Sequence, residues 1–311
     1  MVNYFFKKLG ILLLSLLVVA TLTFFLMHAI PGDPFTQEKA IPQEILHAMQ
    51  KHYGLDKPLI VQYFDYMQGL CKFDLGPSFK YQGRTVNEII KEGFPVSLCL
   101  GLEALFISLS LGILFGSLSA SRQGKWQDRS TMFIAIFGLS MPSFLLATFL
   151  QYGLAMKLDL FPVARWGTFQ QSILPALSLA ALPTAFIARL LRTSMIEVLH
   201  QDYIQTAKSK GLSPSWILYK HVFRNALLPV ASYLGPLTAS ILTGSFAVEK
   251  IFGIPGLGQW FVLSITNRDY TVIMGTTLFY SVILMITVFL VDLLYSWIDP
   301  RISSSTKGVN S

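Results

Sequence analysis

A glycine-rich run, Val248-Glu249-Lys250-Ile251-Phe252-Gly253-Ile254-Pro255-Gly256-Leu257-Gly258-Gln259, has a spacing close to that of a loop that wraps a phosphate. That chemistry needs a lysine for the outer phosphates and a hydroxyl for magnesium. Gln259 and Trp260 stand at those places, so neither contact can form and the run is not an ATP site. Its glycines permit tight backbone turns, and a bent, re-entrant or interfacial turn at an outer membrane surface is expected instead. The histidines, His28, His47, His52, His200 and His221, lack ligand spacing such as His-Glu-x-x-His, and no Gly-x-Ser-x-Gly elbow occurs. Two carboxylates on apolar stretches remain. Glu103 either hydrogen-bonds within a helix bundle or lines a polar pathway, and Asp292, within reach of an interface, serves a structural or orienting role. No catalytic residue, metal site or cofactor is expected.

The most informative polar segment is 195–225, between two apolar runs. Its pattern implies two short helices. Gly211 stands where a helix needs a left-handed stop, and Lys208 and Lys210 place positive charge in that helix's last turn. Ser213-Pro214 then supplies an N-cap oxygen and a proline at the first helical position. A helix-turn-helix held between membrane spans is a rigid, exposed docking surface fixed to elements that can move.

The elements that must hold this surface are membrane spans. Hydrophobic residues make up 53% of the 311 residues and charged ones 13%, with a mean hydropathy of +0.54, far too apolar for a soluble protein. Runs near or above the spanning length of about 18 residues lead to an all-α membrane protein with six transmembrane helices, at 9–30, 96–121, 131–156, 172–191, 226–248 and 270–298. The fourth is slightly short and is completed if Arg189 snorkels to the interface. A secretory signal peptide competes for the first run, which is too long for a signal core and is followed by Pro31-Gly32-Asp33-Pro34 rather than a cleavage site. Residues 31–95 form an irregular extracytoplasmic region that either covers the outer mouth of a pathway and meets a partner or is a structural cap, and 303–311 form a tail.

Charge sets the orientation. With both termini inside, the inner segments hold Lys7, Lys8, Arg122, Lys125, Arg129, Arg189, Arg192, Lys208, Lys210, Lys220, Arg224, Arg301 and Lys307, while the two short outer loops hold only Lys157, Arg165, Lys250 and Arg268. The docking segment therefore faces the cytoplasm. The net charge of +7 has the same origin, basic residues beside anionic lipid, and nucleic-acid binding is not needed to explain it. Cys71 and Cys99 read as ordinary small side chains. Pro142, Pro175, Pro183 and Pro236 interrupt helices, and Gly112 with Gly116 matches a small-xxx-small packing pattern.

The segment 205–229 resembles the coupling loop of ABC importer permeases, whose pattern is Glu-Ala-Ala, three residues, Gly, then a later Leu-Pro. Gln205-Thr206-Ala207 fills the triplet and departs from it in two places, Gly211 holds the glycine, and Leu228-Pro229 ends it. Further runs resemble the dipeptide and oligopeptide branch of that family, closest to its oligopeptide members. They are Pro31-Gly32-Asp33-Pro34-Phe35, Tyr53-Gly54-Leu55-Asp56-Lys57-Pro58-Leu59, Phe73-Asp74-Leu75-Gly76-Pro77-Ser78-Phe79-Lys80-Tyr81, Ile251 to Gly258, Asn267-Arg268-Asp269-Tyr270 and Asp292 to Arg301. The resemblance implies a type I importer permease fold in the bacterial inner membrane and peptide substrates. It implies as partners a second homologous permease, two ATPase subunits and an extracytoplasmic peptide-binding protein. Gln205, Thr206, Ala207, Lys208, Gly211 and Leu212 are then the residues seated against an ATPase, whose closure on ATP shifts the loop and opens the pathway outward. Dipeptides, murein peptides and nickel chelates are rival substrates. A proton-coupled carrier, the alternative of another class, would need more acidic or histidine relay residues in its spans.

Overall fold

The computed structural model describes residues 2–30, 43–242 and 246–298. The runs at 31–35 and 299–301, the tail 303–311 and the Asp292 side chain lie outside the described residues. The order is α1 (Val2–Ala29), α2 (Gln43–His52), α3 (Leu59–Cys71), α4 (Val86–Ser121), α5 (Trp126–Ser140), α6 (Ser143–Leu150, continued by a π-helical stretch Gln151–Lys157), α7 (Phe169–Leu199), α8 (Asp202–Ser209), α9 (Pro214–Trp216, continued as π-helix over Ile217–Phe223), α10 (Arg224–Leu242), α11 (Phe246–Phe252), α12 (Leu257–Asn267) and α13 (Tyr270–Ile298). No strand occurs among the described residues. The chain divides into two compact units: one comprises 1–97 and 255–285, the other 98–254 and 286–311.

By length and composition, four helices among the described residues can cross a membrane, and a bent pair makes a fifth. The stretch 131–156 is that pair rather than one straight span: α5 and α6 with its π continuation meet at an angle of 106°. Pro142 is the cause. It forces Met141 into extended backbone (φ −101°, ψ 120°), which ends α5, and α6 restarts behind the proline. The stretch 226–248 covers most of α10, which carries Pro229 and Pro236, and the first residues of α11.

Several helices start earlier than the apolar runs do, and two of them carry a capping box at that start. The N-terminus of α4 is fixed by a capping box: Thr85 Oγ1 accepts from the Glu88 amide at 3.2 Å, and Glu88 Oε2 accepts from the Thr85 amide at 3.0 Å. Thr168 and Gln171 do the same for α7, with the Thr168 amide donating to Gln171 Oε1 at 3.1 Å. Both signals are in the sequence, ahead of the apolar stretches that dominate a hydropathy reading.

In the first unit the aromatic rings of α1 and α3 interlock. Phe24 lies 5.6 Å from Tyr66 in a stacked arrangement, and His28 Nε2 is 3.2 Å from Gln62 Oε1. Two runs that are 186 or more residues apart in sequence are joined at Asp269. Its fully buried carboxylate accepts from the Ser78 hydroxyl, the Phe79 amide at 3.2 Å, the Lys80 amide at 3.3 Å and the Thr271 hydroxyl at 3.0 Å. A left-handed Arg268 (φ 55°) ends α12 and delivers Asp269 to this place. Here the 73–81 and 267–270 runs become one structure.

In the second unit the small residues of α4 let two backbones approach. A Cβ at Gly112 would stand 2.7 Å from the Ile187 side chain, and one at Gly116 would stand 2.8 Å from the Ala188 carbonyl oxygen. The glycine pair is therefore a packing seam between α4 and α7. The core of this unit runs along Ile187, Leu191 and Met195 of α7, through Ile204 and Ala207 of α8, to Ile217, Val222, Ala226 and Val230. Gln151 ties the far end by donating to the Val163 and Ile251 carbonyls at 2.8 and 3.0 Å. Gly253 (φ +61°) closes α11, and the Ile254 amide donates back to the Glu249 carbonyl at 2.8 Å, so the glycine-rich run is a helix break.

Candidate functional site

Residues 202–212 form one short helix with a tightly specified end. The last turn of α8 closes as a Schellman motif. The Gly211 amide donates to the Lys208 carbonyl at 2.9 Å, and the Leu212 amide donates to the Ala207 carbonyl at 3.3 Å. That geometry needs a left-handed residue, and Gly211 has φ +77°. Ser213 then caps the next helix, its hydroxyl accepting from the Trp216 amide at 3.4 Å, with Pro214 at the first position. Thr206 and Ser209 return their hydroxyls to the carbonyls one turn back, at 3.1 and 3.0 Å, so their side chains lie along the helix surface.

The expected pair of short helices is only half realised. Met195 to Leu199 belong to the end of α7, and the second helix runs from Pro214 without interruption into α10, passing through Pro229. The π-helical stretch Ile217–Phe223 lies within that run. What protrudes is therefore α8 with its turn, mounted between the ends of two long helices.

Burial sorts the candidate residues. Gln205, Thr206, Lys208, Gly211 and Leu212 are exposed, and Leu212 keeps 38% of its surface open. Ala207 faces inward at 8%, beside fully buried Ile204. Together they seat α8 on the α7 and α10 core, while Gln205, Thr206, Lys208 and Leu212 are left facing outward. Burying Ile204 contributes about 2–3 kcal/mol to holding α8 in place. A cleft of ≈ 540 Å³ opens here, lined by Lys208, Leu212, Pro214, Ser215, Leu218 and the Ala120–Ser121 end of α4. An exposed apolar residue beside a cleft on a structured turn offers a contact surface rather than a reaction centre. Glu103 lies apart from this surface, half-buried on α4, where it accepts from the Cys99 thiol one turn earlier at 3.8 Å.

Sequence reasoning missed two groups that brace the segment. Asn225 Nδ2 donates to the Tyr203 hydroxyl at 2.8 Å, tying α8 to the start of α10. Asp128 and Arg192, 64 residues apart, form a bidentate ion pair at 2.7 and 2.8 Å between the first turn of α5 and the end of α7. The available signal was Asp128 itself, a lone acid in a turn that carries Arg122, Lys125 and Arg129.

Residues 112–304 match the family described as binding-protein-dependent transport system inner membrane component, and residues 1–101 match its N-terminal membrane component. The dipeptide transport system permease protein DppB of Bacillus subtilis is 50% identical over 99% of this chain and 100% of its own. The oligopeptide transport system permease protein OppB of Haemophilus influenzae is 43% identical over 97% and 99%. Among solved structures, an amino acid ABC transporter superposes with a TM-score of 0.51 at 17% identity, covering 69% of this chain and 94% of that one. The inward-facing MetNI methionine ABC transporter follows at 0.50 and 20%, covering 68% and 94%, and these two likenesses establish a shared fold. The family match over most of the chain and the 50% and 43% identity to two permeases over nearly their whole length lead to one conclusion: this chain belongs to the binding-protein-dependent transport system inner membrane components, the permease subunits of ABC importers.

Proposed function

We propose that this chain forms one half of the translocation pathway for short peptides and is driven through residues 202–212 by an ATPase that it does not contain. The observation that carries the reading is the exposed, rigidly capped α8 turn, which presents Gln205, Thr206, Lys208, Gly211 and Leu212 while Ile204 and Ala207 hold it to the long helices. No residue of this chain does bond chemistry on this reading. Its partners are a second homologous permease, two ATPase subunits and an extracytoplasmic peptide-binding protein, with anionic lipid along the basic inner segments. Six spans with both termini in the cytoplasm place α8 on the ATPase side.

ATP-driven closure of the ATPase pair displaces α8, which rotates α7 and α10 and opens the pathway outward; hydrolysis returns it inward. Peptide recognition rests mainly with the binding protein. Oligopeptides are the expectation from sequence, and dipeptides are favoured by the higher identity to a dipeptide permease, 50% against 43%. The test of the docking role is Leu212→Asp in the assembled importer. A charge at the exposed apolar contact weakens recovery of the ATPase subunits with the permease and lowers uptake. Undiminished recovery and uptake refute the contact.

A further inference from the structure

The geometry points to Asp128 and Arg192 as positioning residues for coupling, the pair that carries a displacement of α8 from α7 into the α4–α5 turn. The inference rests on the docking role proposed above. Arg192 presents Nε and Nη2 to the two oxygens of Asp128 at 2.7 and 2.8 Å. The same carboxylate accepts from the Ser119 hydroxyl and, at 2.9 Å, from the Gly124 amide. One group thus gathers the end of α4, the turn, the start of α5 and the end of α7.

Three features suit this pair to transmit motion rather than merely to neutralise charge. The Asp128 side chain is 6% exposed and that of Arg192 26%, so the pair is largely shielded from water and held by fork geometry, unlike a surface pair that slips with solvent. It also acts at a defined distance along α7. The α4 seam touches that helix at Ile187 and Ala188, one turn before Arg192, and Leu199, where α7 ends, lies two turns beyond. Finally, the turn it restrains is built on a glycine, Gly124, left-handed at φ +78° with open space where a Cβ would stand, and the 15-residue α5 that follows ends at the bend before Pro142. Without the ion pair, α7 can shift under α8 while α5 stays behind. With it, α4, α5 and α7 move together.

The experiment uses the complete importer in proteoliposomes with its binding protein, reading peptide imported per ATP hydrolysed and recovery of all subunits. Asp128→Asn strands a half-buried arginine. The double Asp128→Asn/Arg192→Gln leaves no unpaired charge and keeps neutral hydrogen bonding. Asp128→Glu keeps the charge. The double assembles, continues to hydrolyse ATP, and imports about tenfold less peptide per ATP, within the range of measured coupling between sites; Asp128→Glu recovers most of the loss. A double with unchanged peptide per ATP overturns the inference. So does one that fails to assemble, which assigns the pair to folding alone, and so does a glutamate variant as defective as the double. Leu212→Asp runs in parallel. If it too leaves recovery and uptake intact, the docking role itself has failed; if it alone impairs them, only the transmission role has.

Discussion

Replacing Gly211 separates backbone conformation from space at the α8 turn. The residue has φ +77°, and a Cβ built there would meet nothing within 4 Å. Substitution therefore costs only what the left-handed backbone imposes. For an ordinary L-residue that is about 1–2 kcal/mol, or roughly a 5–30-fold shift against the closed turn. Asparagine tolerates the left-handed region through local hydrogen bonding and costs less, and a β-branched residue is a genuine outlier there and costs more. If the turn opens, the Leu212 amide leaves the Ala207 carbonyl and the Leu212 side chain loses its place beside the cleft. Peptide uptake in proteoliposomes of the full importer, normalised to assembled complex, is then ordered Gly211 ≥ Gly211→Asn > Gly211→Ala > Gly211→Val, with the valine variant lowered about tenfold. Equal losses for asparagine and valine would refute the reasoning, since they would signal bulk rather than backbone. Full activity of the valine variant would refute the need for the turn.

Two further outcomes probe the scaffold. Asp269→Asn turns an amide NH₂ toward the Ser78 and Lys80 donors and loses the charge that strengthened them, so it destabilises the 76–85 region by about 3 kcal/mol; hydrogen exchange of those amides checks this, and unchanged protection contradicts it. Gly116→Ala drives a methyl to 2.8 Å from the Ala188 carbonyl and costs about 1–3 kcal/mol, seen as a lower melting temperature in detergent, whereas Gly10→Ala, with open space around it, serves as the control; an unaltered melt for Gly116→Ala removes the packing seam.

Local chemistry was the legible part of this chain. Gly211 and Ser213-Pro214 state a helix stop and a helix start within a few residues, and both form as read. Pro142 marked a break, though not the 106° angle at which α5 and α6 meet across it. The starts of α4 and α7 were written in Thr85–Glu88 and Thr168–Gln171, yet a hydropathy window weighs apolar runs and passes over caps. The π-helical stretch Ile217–Phe223 has no comparable local signature, which is why the second helix of the docking segment read as separate from α10. Asp128 with Arg192, and Asp269 with the Ser78 hydroxyl and the Phe79 and Lys80 amides, join residues 64 and about 190 apart; side-chain pairing over such separations is set by tertiary packing and is invisible to periodicity.

Cross-linking from α8 in the assembled importer tests the central claim most directly. Cysteines placed singly at Gln205, Lys208 and Leu212, each exposed, should form cross-links to an ATPase subunit, and one at fully buried Ile204 should not. Absence of ATPase adducts from all three exposed positions, or their labelling by a membrane-impermeant thiol reagent added outside intact cells, would contradict the account.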